Sequence, residues 1–327
     1  NTGVGHQALT ANTTGASNTS VGTASLTSNT TGAENTAIGQ GALISNTTGG
    51  YNTAVGKNSL AANTTASNNT AIGNEVLDAN TTGSENVGVG RYALTTNTTG
   101  NYNVAMGYNS LGLSTTASNN TAVGFRSLQA DTTGASNTAV GTGSMQATTT
   151  GAENSAFGYQ ALKENTTGGN NTAIGRLALT KNTTASENTA VGIAAMQTST
   201  TGAKNTAVGV SAGNVLTTGN QNTFIGYQAG KTFTTGSNNV CVGYQSGDSR
   251  TTANNQLWIA RSSAGASSAA VWIYGDGNGT CFQGNNSTAW TAVSDERIKK
   301  NIVDSTNGLA KIDAIQVRNF NYRTEAE

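Results

Sequence analysis

Asn35-Thr36-Ala37-Ile38-Gly39-Gln40-Gly41-Ala42-Leu43-Ile44-Ser45-Asn46-Thr47-Thr48-Gly49-Gly50-Tyr51 is one copy of a unit that fills most of the chain. Its first glycine recurs at 5, 22, 39, 56, 73, 90, 107, 124, 141, 158, 175, 192, 209, 226 and 243, always 17 residues apart. These are fifteen copies without an insertion over residues 1–255. Numbered from its Asn, the unit keeps Asn at position 1 (Asn1 to Asn239) and paired Thr at 13 and 14 (Thr13-Thr14 to Thr251-Thr252) in every copy. Position 15 is Gly, or Ala at 66, 117, 185 and 253. Strict spacing is the mark of a repeat architecture in which each copy stacks on its neighbours, so that an insertion would break ladders shared by all.

A 17-residue unit is too short for the two-helix repeats, which need roughly 33 residues or more. It is rich in Thr, Val, Ile, Gly and Asn, which suits strands and turns. The pattern predicts an all-β fold, a parallel β-solenoid or β-roll with one coil per unit, coils about 4.8 Å apart and an array roughly 70 Å long. The β-branched residues of position 4 (Val4, Val21, Ile38, Val55, Ile72, Val89) are expected to form one inward ladder. The leucines of position 9 (Leu9, Leu26, Leu43, Leu60, Leu77) are expected to form the second, with small residues at 3 and 8 leaving room for both. Asn at position 1 suits a stacked amide ladder, and Gly at 5 and 15 suits backbone turns that side chains disfavour.

Composition narrows the function. The 327 residues include 42 Gly and no Pro, are 35% hydrophobic and only 10% charged, and balance 16 basic against 16 acidic side chains. The charged share is under half that of an ordinary globular enzyme. Collagen is excluded by the missing Pro and by the glycine spacing, and no apolar run approaches the roughly 20 residues of a membrane helix. Zero net charge without a basic cluster leaves no electrostatic footprint for nucleic acid or an anionic membrane. The chain opens at Asn1 with neither Met nor signal peptide, and is read as a fragment of a longer product. With about two sizeable apolar side chains per coil, a solitary rod covers its surface poorly, so several identical chains wound together are expected. A narrow monomeric solenoid is the alternative.

The last three copies change the pattern. Position 9 becomes Gly213, Gly230 and Gly247, while position 12 gains Leu216 and Phe233 before Arg250. An apolar anchor moves along the coil, as expected of terminal repeats that abut a cap. Residues 256–293 then read as a small β-rich cap in which Leu257-Trp258-Ile259 and Val271-Trp272-Ile273-Tyr274 form a strand pair, and Gly275-Asp276-Gly277-Asn278-Gly279 is a turn. Residues 294–327 are charged and amphipathic, a short α/β segment with a helix around Gly308 to Ile315 and a strand-like Val317 to Tyr322.

Ser294-Asp295-Glu296-Arg297-Ile298-Lys299-Lys300-Asn301-Ile302, preceded by Val271-Trp272-Ile273-Tyr274-Gly275-Asp276, resembles the junction of bacteriophage tail fibres and tailspikes that carry an intramolecular chaperone of endosialidase type, the S74 peptidase family. The resemblance implies a homotrimer, assembled by a C-terminal chaperone that then cuts itself off before the motif Ser. It implies Ser294 as nucleophile, Lys299 as base, Asp295 as a residue assisting local geometry, and Val293-Ser294 as the scissile bond. A Lys can serve a Ser hydroxyl once desolvation lowers its pKa. From the residues alone, Ser294-Asp295-Glu296 reads first as a helix cap, a role that is compatible with the catalytic one. Because the family's chaperone extends well beyond the motif and this chain stops at Glu327, it is read as holding a truncated chaperone that does not itself cleave. The repeat also resembles the head modules of trimeric autotransporter adhesins, whose shorter units share the Asn or Ser and the Val/Ala/Ile-Gly step.

Other chemistry is sparse. His6 is the single histidine, read as a solvated side chain, and supports neither a metal site nor a triad; no cofactor is expected. Cys241, at position 3, and Cys281 are read as two buried thiols, with a disulfide as the alternative. The acids of the array, Glu34, Glu75, Asp78, Glu85, Asp131, Glu153, Glu164, Glu187 and Asp248, fall at variable positions and read as solubilising surface rather than a paired glycosidase site. Positions 6 and 7 gather Arg91, Tyr92, Tyr108, Phe125, Arg126, Tyr159, Arg176, Tyr227 and Tyr244 along one edge. That stripe suits packing between subunits or binding of a cell-surface glycan or protein receptor. The sequons, such as those at Asn12 and Asn29, matter only in a glycosylating host.

The leading expectation is an adhesive fibre shaft, of a phage tail fibre on the virion or a related bacterial surface fibre such as a trimeric adhesin. It binds itself and a host receptor, with no nucleic acid partner and no membrane insertion. The competing expectation is a monomeric ice-binding solenoid presenting the stacked Thr13-Thr14 and Thr30-Thr31 hydroxyls.

Overall fold

Each coil contributes one three-residue strand at positions 2 to 4, from β1 (Thr2–Val4) to β15 (Val240–Val242). The computed structural model describes residues 1–247, 251–261, 271–275 and 280–283. The strand is short because the glycine of position 5 ends it. Gly39 has φ 139°, and a Cβ there would lie 2.4 Å from the Gly56 carbonyl oxygen of the next coil, so neither the backbone angle nor the space admits a side chain. Successive strands pair in parallel with equivalent residues opposite, as in Thr36↔Thr53, Ala37↔Ala54 and Ile38↔Val55. This is the parallel β-solenoid with a 17-residue coil that the repeat predicts, and the described residues contain no helix.

Outside the strand, main-chain bonds still run between coils. Leu26 N donates to Ala42 O at 3.0 Å, Ser28 N to Ile44 O at 3.2 Å and Glu34 N to Ala16 O at 2.9 Å. The coil bends where non-glycine residues at positions 7, 9 and 17 enter the left-handed region, as at Glu75 (55°), Leu77 (52°) and Glu85 (59°). Three such residues per turn are unusual. They persist because the coils above and below hold the backbone on both sides.

The core differs from the sequence expectation at one face. Alternation along the strand turns position 3 inward, so Ala37, Ala54, Ala71 and Ala105 are fully buried. Position 4 therefore points out: Val4 is 57% exposed and Ile38 41%. The predicted inward ladder at position 4 is corrected to an outward one, since a one-residue change of phase exchanges the faces of a strand. The reason is room, for the lumen takes one large side chain per coil, Leu26 to Leu128 at position 9, against Ala at 3 and Ala or Ser at 8.

The position-1 ladder forms as expected. Asn35 N donates to Asn18 Oδ1 at 2.9 Å, and Asn35 Nδ2 donates to Asn18 Oδ1 at 3.1 Å and to Gly49 O at 2.9 Å. Position 15 is corrected: its glycines do not lie in the left-handed region. What a side chain meets there is the next coil, whose carbonyl would stand 2.2 Å from a Cβ on Gly15. Ala66 and Ala117 show that a methyl group is nevertheless accommodated at that position.

Local swaps keep core volume constant. Val76 replaces the usual small residue at position 8, and the strand residue beside it is Gly88, where a Cβ would fall 2.4 Å from Val76 Cγ1. In the last three coils the swap is larger. Phe224 enters at position 3 and Phe233 at position 12, both fully buried with ring centroids 5.4 Å apart. A Cβ on Gly213 or Gly230 would meet the Phe224 ring at 2.7 or 2.3 Å. The glycines are thus the counterpart of the phenylalanines.

Beyond the array, β16 (Leu257–Ala260) continues the parallel stack on β15 and buries Trp258, while β17 (Val271–Gly275) and β18 (Cys281–Gln283) add to it antiparallel. The expected strand pair is present. Cys241 is buried and Cys281 exposed, both as free thiols. The expectation of two buried thiols is corrected, because Cys281 lies on the outermost strand of the sheet. By contact the chain divides into Asn1–Thr288 and Ala289–Glu327. The second unit, with the expected helix around Gly308 to Ile315 and strand Val317 to Tyr322, and most of the turn at Gly275 to Gly279, lie outside the described residues.

Candidate functional site

The outward phase of the strand lines up an apolar stripe on the surface. Position 4 is apolar in all fifteen coils, with Val, Ile, Met106 or Phe157 at every step. In-register pairing aligns them as one stripe flanked by the half-buried Thr of position 2. Ile38, Ile72, Met106, Phe157, Ile174 and Ile225 are all exposed. Contiguous apolar surface of this extent marks an interaction face.

Beside it, beyond the glycine of position 5, lie the residues predicted as a stripe. The structure brings part of them together. Tyr92 meets Tyr108 edge-on with centroids 6.0 Å apart, and Tyr108 stacks on Phe125 at 5.5 Å and 15°. Arg91 covers the Tyr92 ring at 4.4 Å and donates to its hydroxyl at 2.6 Å, while Arg126 lies 5.0 Å over Phe125. Tyr227 and Tyr244 stack at 5.2 Å and 8° as a second group. Tyr159 and Arg176 are exposed between the two groups. Stacked rings cover one another's faces and present their edges. Sugars bind aromatic side chains face-on, so the inner rings Tyr108 and Phe125 are poor sugar platforms.

The paired threonines are not equivalent. At position 13 the hydroxyl donates to the main chain of the next coil, as Thr30 Oγ1 to Thr47 O at 3.0 Å and Thr47 Oγ1 to Thr64 O at 3.0 Å. Position 14 is exposed, as at Thr31 and Thr48, while position 13 is half-buried in the interior coils, as at Thr30 and Thr47. One of the two hydroxyl ranks a flat ice-binding face would use is consumed by the fold.

Among the acids, Glu34, Glu153 and Glu187 are exposed, and Glu164 pairs with Lys181 across one coil at 2.6 Å. Asp78 has its carboxyl held above the usual range, first by burial and then by Glu75. Asp131 departs from the prediction altogether. It is fully buried at position 12, where burial pushes its carboxyl up from 3.8 to about 8 against the opposing effect of the Gly134 N–H. Its assignment to solubilising surface is corrected. The signal was its place in the unit, since position 12 is otherwise Asn, Ser or Thr in the first twelve coils. Asp248 lies outside the described residues.

Among the described residues no three His, Cys, Asp or Glu gather as metal ligands. His6 is exposed. An open recess of about 420 Å³ near the cap is lined by Asn238, Val240, Leu257 and Cys281 among others, with no charged side chain. No helix among the described residues is long and apolar enough to cross a membrane. Ser294, Asp295 and Lys299 lie outside the described residues.

The family model described as chaperone of endosialidase, peptidase S74, matches residues 294–327. It covers the Ser294 motif and the segment after it. No curated protein and no solved structure matches the chain.

Proposed function

We propose that this chain is the shaft of a homotrimeric adhesive fibre, of the phage tail-fibre kind, whose assembly is directed from its C-terminal end. The observation that carries the reading is the union of an unbroken fifteen-coil β-solenoid with a terminal segment matching the chaperone of endosialidase. On this reading residues 1–255 are the shaft, 256–293 a cap, and 294–327 the chaperone segment.

The position-4 stripe supports self-association. Fifteen exposed or half-buried apolar side chains amount to on the order of 1,000 Å², against roughly 800 Å² buried per partner in a standard stable complex. Copies wound together would cover the stripe, and the ring ladder beside it would lie at the seam. Tyr159 and Arg176, exposed beside that ladder, are where a glycan or protein receptor would find purchase. The setting is the virion or a cell exterior. Cleavage follows the family pattern, with Ser294 as nucleophile, Lys299 as base, Asp295 beside them and Val293-Ser294 as the bond cut.

Light scattering of the protein produced with a complete chaperone should give the mass of three chains. A single-chain mass overturns the trimer. In the same material wild type should split at Val293-Ser294 and Ser294→Ala should stay whole, and an intact wild-type product by mass spectrometry overturns the cleavage assignment.

A further inference from the structure

The amide ladder of position 1 is complete, but a second ladder at position 12 is not. From Asn29 to Asn97 each amide donates to Oδ1 of the preceding coil at 2.8 to 3.1 Å. Each also donates to the carbonyl at position 15 of its own coil, as Asn80 to Gly83 O at 2.9 Å. Coils seven to nine carry Ser114, Asp131 and Thr148 instead. Asn97 Oδ1, Ser114 Oγ, Asp131 Oδ2 and Thr148 Oγ1 then find no protein partner, although all four residues are fully buried. Buried polar atoms are otherwise nearly always bonded, and four in consecutive coils are not scatter.

Asp131 is the member that titrates. Its Oδ1 accepts from Gly134 N at 3.0 Å and lies against the position-15 glycine as Asn80 Oδ1 lies against Gly83. Oδ2 therefore stands where an asparagine carries its amide nitrogen. The Gly83 carbonyl receives two amides, Asn69 at 3.0 Å and Asn80 at 2.9 Å, whereas the Gly134 carbonyl receives Asn120 alone at 2.8 Å. An ionised carboxylate would set two oxygens face to face there. A carboxylic acid supplies the missing proton. The groups around it are uncharged: Leu128, Gly134 and Asn137 nearby in the chain, and Ser114 and Thr148 at the same position of the flanking coils.

We propose that Asp131 is a proton-binding site inside the rod: a neutral carboxylic acid that donates from Oδ2 to the Gly134 carbonyl in place of an amide, with a water bridging it to Ser114 and another to Thr148, and whose ionisation, releasing the proton to solvent, loosens coils seven to nine. The room for water comes from exchanging Asn for a shorter hydroxyl side chain. The inference does not rest on the fibre reading. Burial raises the carboxyl in the folded chain to about 8 while the unfolded chain keeps the ordinary 3.8. The stabilisation is therefore fully present below about pH 4, is lost as pH rises toward about 8, and changes no further above that.

The test is urea unfolding of the whole chain, wild type against Asp131→Asn, from pH 4 to 9, with hydrogen exchange of coils seven to nine as the local readout. Asp131→Asn restores the repeat, so it folds. The ratio of their unfolding constants should be near one at pH 4 and widen about tenfold per pH unit in favour of Asp131→Asn until about pH 8. A gap between wild type and Asp131→Asn that is the same at pH 4 and pH 8 overturns the proposal. So does recovery of wild-type stability at pH 9 on adding millimolar calcium, which would make the site a cation site holding a carboxylate.

Discussion

Coils one to twelve and coils thirteen to fifteen follow one backbone path around different fillings. In the first region a Leu or Met at position 9 supplies the bulk, as Leu111, Leu128 and Met145 do, and holds φ near 50°. In the second, Gly213, Gly230 and Gly247 hold φ of 56°, 59° and 73°, and the bulk comes from Phe224, Leu216 and Phe233. What persists is the left-handed angle at position 9 and the volume of the lumen, while the residue that fills it moves around the coil. The energetics explain why both solutions occur. A non-glycine residue in the left-handed region costs about 1–2 kcal/mol, and burying a Leu returns roughly 1.5–3 kcal/mol. Leucine at position 9 thus wins by a narrow margin, and glycine serves once a ring entering from position 3 takes the space.

The largest effect belongs to the second region. Phe224→Ala removes the ring that lies over Gly213, Gly230 and Phe233, and a large buried aromatic truncated to Ala costs about 3–5 kcal/mol. Leu111→Ala should cost about 2–5 kcal/mol, because Ala keeps the left-handed strain of position 9 while the burial is lost. Urea midpoints rank the two. A larger loss for Leu111→Ala would show that the leucine ladder, and not the phenylalanine pair, holds the stack.

Gly230→Leu alone would drive a side chain into the Phe224 ring, and overpacking of this kind costs about 1–3 kcal/mol or more. Combined with Phe224→Ala it rebuilds the filling of the first region, and the pair should be milder than the sum of the singles by at least ~1 kcal/mol. Additive losses would mean that the two regions are not interchangeable. The first region holds its own miniature of this exchange. Gly88→Ala meets Val76 Cγ1, Val76→Ala opens a void, and the double change returns both sites to the small residues common in other coils. Each single is expected to cost about 0.5–2 kcal/mol and the double close to nothing.

Much of this was legible in the sequence. The 17-residue spacing dictated the coil, its register and the amide ladder of position 1, since those depend on stacking identical units. The strand phase was not legible. Val and Ile at position 4 are what both a core and an outward β face select, and only the size of the lumen, a property of the closed coil, decides between them. The glycines at position 9 were readable as a change of filling, but their partner Phe224 was not, because contact between positions 3 and 9 needs the coil's geometry. Asp131 was misplaced for a related reason: variable positions look like surface until position 12 is seen to face inward. Of the candidate sites, the ring cluster from Arg91 to Arg126 was readable as a stripe, though not that its rings cover one another's faces.

The smallest expected effect probes the end of the second region. Cys241 takes position 3 in coil fifteen, where its sulfur would lie 2.6 Å from a Cβ on Gly247, and burial pushes its thiol up to about 12. Thiolate, not thiol, reacts with disulfide reagents, so at neutral pH Cys241 is protected both by its protonation and by its burial. Cys281, exposed on β18, lacks the protection of burial. One thiol per chain should therefore react at once and the second only as the terminal coil opens, and Cys241→Ala should cost little, about 1 kcal/mol, because a small residue is what position 3 usually holds. The slow phase then measures local opening of the Phe-filled coils. Slowing by Gly247→Leu would mean the leucine filling is the better end of the stack, acceleration that the glycine was required, and immediate reaction of both thiols would show that coil fifteen does not close over Cys241 at all.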